Sequence, residues 1–303
     1  MVETAPPKAV RRLDAGEIQK QIARCPSIPS LGSVNKALQE LLGNDQRLTA
    51  QIAEIIRRDP SLTSRLLKLV NSVYYGLSSP INSIEEAVFY LGVRQIRQLA
   101  MVTPVIEDFQ RLTSQCNFPW REFWQHCIGT AILTREVTAH VPGPSEDYDY
   151  IAGLVHDIGK IVMAWSFPEH FSAIHLVSTE TKRPLVEIEE EILGLSHSEL
   201  GALYLERHRL PEIMIVSARY HHRPTEAPVH RHTLAAVRLA DMLLHSENIG
   251  VSGDYVPVTR EECFAAPVWN QLLAKTPEAE QAIVKAALSR TLEQIPHMLA
   301  GMV

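Results

Sequence analysis

Cysteine is scarce in this sequence, and an excess of positive charge is missing. The 303 residues include four cysteines, and no two of them form a C-x-x-C pair. This spacing argues against a disulfide framework and against a zinc ribbon, so reduced and packed thiols are the simpler interpretation. Lys and Arg number 29 against 35 Asp and Glu, which is not the basic excess typical of proteins that bind nucleic-acid phosphates. We therefore expect no nucleic-acid partner.

Long hydrophobic runs are absent as well. No window reaches the roughly 18 consecutive apolar residues of a membrane span, and the N-terminus lacks the apolar segment of a signal peptide. We therefore expect a cytoplasmic protein with no membrane partner. Period-2 runs of β-branched residues between turn signals are also almost absent, whereas helix start and stop signals are frequent. The sequence predicts an all-α fold.

Helix signals recur along the chain. They predict helices over residues 33–42, from Thr49 to Asp59, and from Pro60 to about residue 70. Ser83 and Glu86 have the spacing of a capping box. Near the C-terminus, Thr276-Pro277-Glu278 reads as a cap, a first-turn proline and a first-turn acid for a helix that continues to about Leu292.

Histidine is unevenly distributed: all 13 histidines lie at or after His126. Any one of them alone is more commonly a structural residue than a ligand. Together with two aspartates, however, five imidazoles supply enough ligands for two first-row metal ions that share a bridging carboxylate. The candidate ligands are His126, His156, Asp157, His197, His221, His222 and Asp241. Adjacent helix residues lie about 100° apart, so both members of each doublet can border one cavity.

The segment His156-Asp157-Ile158-Gly159-Lys160 follows an apolar run. Lys160 lies three residues beyond Asp157, within helical reach of whatever Asp157 holds, and could contact a phosphate oxygen there. The His-Asp doublet and the lysine resemble the H-D-x-G-K motif of the HD superfamily of metal-dependent phosphohydrolases. The ordered ligands listed above also match the HD-GYP subgroup of that superfamily. Glu122, one turn before His126, coincides with an extra carboxylate ligand of some trinuclear members, although glutamate at this spacing is commonplace.

A second resemblance is to the HD-related output domain, HDOD, whose members are bacterial signalling modules. It rests on motifs in both halves of the region from Ile22 to Leu244: Ile28-Pro29-Ser30-Leu31, Asp59-Pro60-Ser61-Leu62, Ser83-Ile84-Glu85-Glu86, His197-Ser198-Glu199-Leu200-Gly201 and Tyr220-His221-His222-Arg223-Pro224. Many HDOD proteins have lost metal ligands, whereas this chain keeps the full set. It departs from the HD-GYP pattern because no Gly-Tyr-Pro segment follows His222.

This resemblance implies an N-terminal tail (1–20), an HDOD domain (21–250) and a C-terminal helical extension (251–303). Within the HDOD domain it implies a helical N-terminal subdomain (21–109) and an HD-like metal-binding subdomain (110–250).

Two functions follow from the resemblance, and the sequence leaves both open. One is a signalling or output module whose dinuclear site binds a phosphate-bearing small molecule or serves a protein partner. The other is a metal-dependent phosphohydrolase of cyclic dinucleotides or nucleotides, with Asp157 and Lys160 as catalytic residues. In either case Asp157 would bridge two divalent ions. Iron or manganese is favoured by mixed imidazole and carboxylate ligation, and zinc or nickel could occupy the same atoms.

Overall fold

The architecture is known from a computed structural model, which describes residues 10–25, 56–57, 63–64, 66–67, 70–71, 79–90, 92, 96, 116–143 and 149–299. Its helices are α1 (Ala15–Ile22), α2 (Trp120–His140), α3 (Asp149–Val155), α4 (Ile158–Ser166), α5 (Pro168–Thr181), α6 (Leu185–Ile192), α7 (His197–Arg207), α8 (Glu212–Tyr220), α9 (Arg231–Ser246), α10 (Arg260–Ala265), α11 (Pro267–Leu273) and α12 (Glu278–Leu299). A short 3-10 helix, Pro224–Glu226, lies between α8 and α9.

The described residues contain helices and no β-strand, so the predicted all-α fold is confirmed. Within these ranges, no helix combines the length and the apolar character needed to cross a bilayer. The predicted helix over 33–42 lies outside the described residues, and so do most residues of the helices predicted from Thr49 to Asp59 and from Pro60 to about residue 70. The described residues of these two helices, 56–57, 63–64, 66–67 and 70, are helical. The predicted boundary between residues 109 and 110 also lies outside the described residues, so the division into subdomains stays a prediction.

Side-chain caps lie at the start of several helices, and one of these caps, Ser83, is predicted from the sequence. Ser83 Oγ accepts a hydrogen bond from Glu86 N at 3.1 Å, and residues 84–90 are helical. Asp14 caps α1 in the same way by accepting from Glu17 N at 2.8 Å, so the predicted N-terminal tail is already helical at Ala15. The last helix begins at Glu278, one residue after the proline predicted to open it, and continues past Leu292 to Leu299, with Pro296 inside it.

Helix α2 lies at the centre of the core. Its Phe123, Ile132 and Val137 are fully or almost fully buried, and it packs against α3, α9 and α12. Because α2 carries His126 and α9 carries Asp241, this packing brings two candidate ligands from distant parts of the chain side by side.

Gly159 allows a close approach between α4 and the start of α7. A Cβ atom built on Gly159 would lie 1.8 Å from His197 O and 2.7 Å from Gly201 N, inside any contact distance that real atoms adopt. Glycine is therefore required at this position for steric reasons. The approach sets the first residue of α7, His197, against the Asp157 end of α4.

Candidate metal centre

His156 and Asp157 form the turn between α3 and α4. Both side chains are 1% exposed, although each is polar. His156 Nδ1 lies 2.6 Å from Gly153 O, so Nδ1 carries the proton and donates it to this carbonyl. The other ring nitrogen, Nε2, faces the interior on the side of Asp157, the orientation that a metal-ligating imidazole requires.

The two carboxylate oxygens of Asp157 face different histidines. Oδ2 lies 3.4 Å from His156 Nε2 and 4.0 Å from His126 Nε2. Oδ1 lies 3.3 Å from His197 Nε2 and 3.6 Å from His221 Nε2. One carboxylate is thus shared between two sets of imidazoles, as a bridging ligand would be.

The remaining candidate ligands complete these two sets. His126, His156 and Asp157 have ligand atoms within 4.8 Å of one another, and Asp241 Oδ1 lies 3.2 Å from His126 Nε2. We name this set the first position. His197, His221 and His222 form a second set within the same 4.8 Å limit, which we name the second position. The fold thus assembles all seven residues that the sequence pattern selects.

These residues fit divalent metal ions. Among the described residues, Asp157 Oδ1, His126 Nε2 and His156 Nε2 are buried atoms without a hydrogen-bond partner, an arrangement that is costly unless something else satisfies them. In the second position, His197 Nε2 lies 3.0 Å from His222 Nε2 and 3.4 Å from His221 Nε2. Two nitrogens about 2.1 Å from one ion are separated by roughly 3.0 Å at a right angle and roughly 3.4 Å at the tetrahedral angle. The observed spacings fall at these values.

Lys160 is buried and held by Asp157. Its Nζ donates a hydrogen bond of 2.6 Å to Asp157 Oδ2, and the residue is only 4% exposed. Burial alone would raise the pKa of Asp157 and lower that of Lys160. Their mutual attraction, together with His156 and His197 beside Asp157 and with Glu189 and Asp241 near Lys160, outweighs burial. The pKa of the carboxyl group is held well below its usual range and the pKa of the ammonium is raised. Asp157 is therefore ionised, as a metal ligand must be.

A buried carboxylate stands behind His197. Glu189 Oε2 lies 2.7 Å from His197 Nδ1 and 2.8 Å from the backbone nitrogen of the same residue. Burial lowers the pKa of His197, but Glu189 and Asp157 outweigh burial and raise it to about 9. In the absence of a metal cation, His197 thus carries the positive charge that balances these carboxylates.

His221 and His222, at the end of α8, differ from His197 in the direction of their pKa shifts. Burial, reinforced by positively charged neighbours, holds the pKa values of His221 and His222 well below the usual range. His221 Nδ1 donates to carbonyl oxygens, the nearer of which is Ala218 O at 2.9 Å. Both rings are therefore neutral and able to offer a lone pair.

Asp241 is paired with a cation that precedes it by one helical turn. Arg238 donates from its NH1 group to Asp241 Oδ2 at 2.8 Å. Burial raises the pKa of Asp241, but nearby His126 and Arg238 outweigh it and hold the pKa well below the usual range.

Sequence reasoning missed two residues of this site, Glu189 and Arg238. Glu189 lies in an acidic stretch that resembles a solvated helix face, yet it stands four residues after Leu185 and four before Leu193, and this apolar spacing could have marked its face of the helix as buried. Arg238 was detectable from its i, i+3 spacing to Asp241. Conversely, Glu122 lies half-buried on α2 and belongs to neither set of ligand atoms, so its role as an extra ligand stays a prediction.

A cavity of about 310 Å³ lies beside the ligands, which is at the lower end of the volumes usual for small-molecule sites. Its walls include Asp157, Lys160, His222, Arg238, Asp241, His245, Asp254, Val258 and Glu262. Members of both positions therefore border a space that a small molecule can enter.

The sequence pattern of the HDOD domain matches residues 28–224, which is more than half of the chain. The chain belongs to the HDOD family. The match contains six of the seven candidate ligands, whereas Asp241 lies beyond its end. A relative from Treponema pallidum, an uncharacterized protein, is 26% identical over 225 residues. That alignment covers 73% of this chain and 43% of the relative, so the chain spans less than half of that protein's length.

Solved structures share the fold of this HDOD protein. An HDOD domain protein of unknown function from Geobacter sulfurreducens superposes with a TM-score of 0.78 at 23% identity, covering 92% of this chain and 96% of that one. A candidate phosphohydrolase from Shewanella amazonensis gives a TM-score of 0.74 at 18% identity, with 95% and 98% covered. A candidate signal transduction protein from Marinobacter aquaeolei gives 0.69 at 20% identity, with 95% and 65% covered. At these identities the likeness establishes the fold alone.

Proposed function

We propose that this HDOD domain binds two divalent metal ions, one at each position, with Asp157 between them. The observation that carries the proposal is the division of the Asp157 carboxylate, whose Oδ2 faces His156 and whose Oδ1 faces His197. Iron or manganese suits this mixture of imidazole and carboxylate ligands best, and zinc or nickel could occupy the same atoms.

The function that we propose for the site is that of a bacterial signalling output module in the cytoplasm. A phosphate-bearing small molecule would enter the cavity beside the ligands, where Lys160 and Arg238 supply positive charge. Binding of this molecule in the cavity would favour one arrangement of the helices and thereby change a surface offered to a protein partner. The coupling would equal the ligand's differential affinity for the two arrangements.

A metal-dependent phosphohydrolase is the second candidate. It is favoured by the shared carboxylate and by the fold that this chain has in common with the candidate phosphohydrolase from Shewanella amazonensis. Two divalent ions, when bound, would lower the pKa of a water molecule and neutralise charge on a phosphoryl group. Lys160 would hold Asp157 ionised and contribute fixed positive charge. The sequence disfavours cyclic-dinucleotide turnover, because no Gly-Tyr-Pro segment follows His222.

A binding and turnover panel distinguishes the two candidates. Protein purified without a chelating tag and loaded with manganese is incubated with cyclic dinucleotides, nucleotides and simple phosphodiesters, and both binding and hydrolysis are measured. Asp157→Asn is the matched control, because it keeps the side-chain shape and removes the shared charge. We expect metal-dependent binding without turnover. Turnover that is lost in Asp157→Asn would favour the phosphohydrolase over the signalling module. If the wild-type protein showed no binding and no turnover, both candidate functions would be contradicted.

A further inference from the structure

Arg238 occupies an unusual place among the ligands. Its NH1 group contacts two of them, lying 2.8 Å from Asp241 Oδ2 and 3.2 Å from His222 Nδ1. The side chain is 28% exposed and lines the 310 Å³ cavity. A single guanidinium therefore connects both metal positions to the space in which a ligand would bind.

Three other ligand histidines have a hydrogen-bond acceptor behind the ring. His156 Nδ1 lies 2.6 Å from a carbonyl oxygen, His197 Nδ1 lies 2.7 Å from a carboxylate oxygen, and His221 Nδ1 lies 2.9 Å from a carbonyl oxygen. Such acceptors fix the proton on Nδ1 and aim the Nε2 lone pair at the ion.

His222 has the opposite arrangement. A guanidinium carries only donors and cannot accept a proton. If His222 is to ligate through Nε2, its proton must lie on Nδ1, where it would face the Arg238 NH1 group 3.2 Å away. The positive charge of Arg238 also opposes a second cation nearby. In the observed position, Arg238 thus disfavours an ion at the second position.

A phosphate group in the cavity would offer Arg238 another partner. Guanidinium groups bind phosphate oxygens in a bidentate manner, with two charge-assisted hydrogen bonds. Lys160, the other cation of this cavity, is only 4% exposed and is already committed to Asp157. Of these two cations, Arg238 is therefore the one that an incoming anion can recruit.

We propose that Arg238 is a latch that couples the anion in the cavity to the metal ion at the second position. A phosphate group draws the guanidinium away from His222 and Asp241, and His222 becomes available to the ion at the second position. The latch rests on the proposed function and adds its regulation: metal and phosphate strengthen each other's binding, by the same factor in each direction. Asp241 keeps its place when Arg238 moves, because Oδ1 still lies beside His126 Nε2 at 3.2 Å.

Manganese titration of the metal-free full chain tests the latch. Free Mn²⁺ is measured from its electron paramagnetic resonance signal, with and without inorganic phosphate, and calibrated in protein-free solutions of the same phosphate content. The variants are Arg238→Gln and, as a matched control, Arg260→Gln. Arg260 is 30% exposed, donates to a single carboxylate, Glu247, at 2.7 Å, and does not line the cavity. Arg238→Met serves if the glutamine variant does not fold, because methionine preserves the apolar stem.

Without phosphate, Arg238→Gln should bind the weaker of its two ions at least about fivefold more tightly than wild type, the lower end of ordinary couplings. Phosphate should increase the affinity for that ion by a similar factor in wild type and in Arg260→Gln, and by much less in Arg238→Gln. Two ions bound with the same affinities and the same phosphate response in wild type and Arg238→Gln would overturn the latch alone. Fewer than two ions in every variant and condition would overturn the proposed function, and the latch with it.

Discussion

A single carboxylate oxygen, Glu189 Oε2, accepts two hydrogen bonds from His197, one from the backbone N–H at 2.8 Å and one from ring Nδ1 at 2.7 Å. Glu189 is 1% exposed, so these bonds are formed away from competing water. Together they fix both the start of α7 and the orientation of the imidazole. The Nε2 atom of His197 is thereby held 3.3 Å from Asp157 Oδ1.

Replacing Glu189 should weaken metal binding without breaking the fold. In Glu189→Gln, a neutral amide replaces the charge behind His197, so the affinity of the second position should fall about 10–100-fold, as for other partners of metal-ligating histidines. The control is Glu190→Gln, because Glu190 is the exposed neighbour on the same helix. Manganese titration measures the metal affinity of both variants. An equal loss in the two variants would show that Glu189 does not act through His197.

Lys160→Met should destabilise the metal-free protein strongly. The substitution leaves the buried Asp157 carboxylate without its 2.6 Å partner, and breaking a buried ion pair costs roughly 3–5 kcal/mol. Manganese should reduce this loss, because cations then neutralise Asp157. Denaturant unfolding with and without metal measures the free energy of unfolding, and the exposed Lys275 provides the control Lys275→Met. A loss that is equal with and without metal would contradict the assignment of Asp157 as a ligand.

The cysteine thiols should be protected in the folded protein. Burial raises the pKa values of Cys25 and Cys263 to about 11 from the ordinary 9.0, so few of these thiols are ionised near pH 8, and only thiolates react readily. The rate of alkylation should continue to rise from pH 9 towards pH 11. All four cysteines are free and should react rapidly once denaturant is added. Rapid alkylation of all four in the folded state at pH 8 would contradict this packing.

The candidate ligands could be selected from the sequence because each of their residue types is a local feature of the chain. The His156-Asp157 doublet and the His221-His222 doublet can be read directly from the sequence, and the order of the motifs does not depend on how the helices pack. The fold then supplies what spacing cannot, namely that one oxygen of Asp157 faces each set of histidines.

The residues behind the ligands carry a weaker sequence signal, because their contacts with the ligands depend on how one helix lies against another. Glu189 reaches His197 only because α6 ends beside the start of α7, and Arg238 reaches His222 only because α9 packs close to the end of α8. Lys160 illustrates the same limit. The sequence places it for contact with a phosphate oxygen, but in the structure it is 4% exposed and donates to Asp157 Oδ2.

Elemental analysis of protein purified without a chelating tag tests the central claim most directly. We predict two metal ions per chain in wild type, almost none in Asp157→Asn, and roughly one in His197→Ala, because only the bridging ligand belongs to both positions. A wild-type protein that holds no metal, or an Asp157→Asn variant with the same metal content as wild type, would contradict the shared dinuclear site.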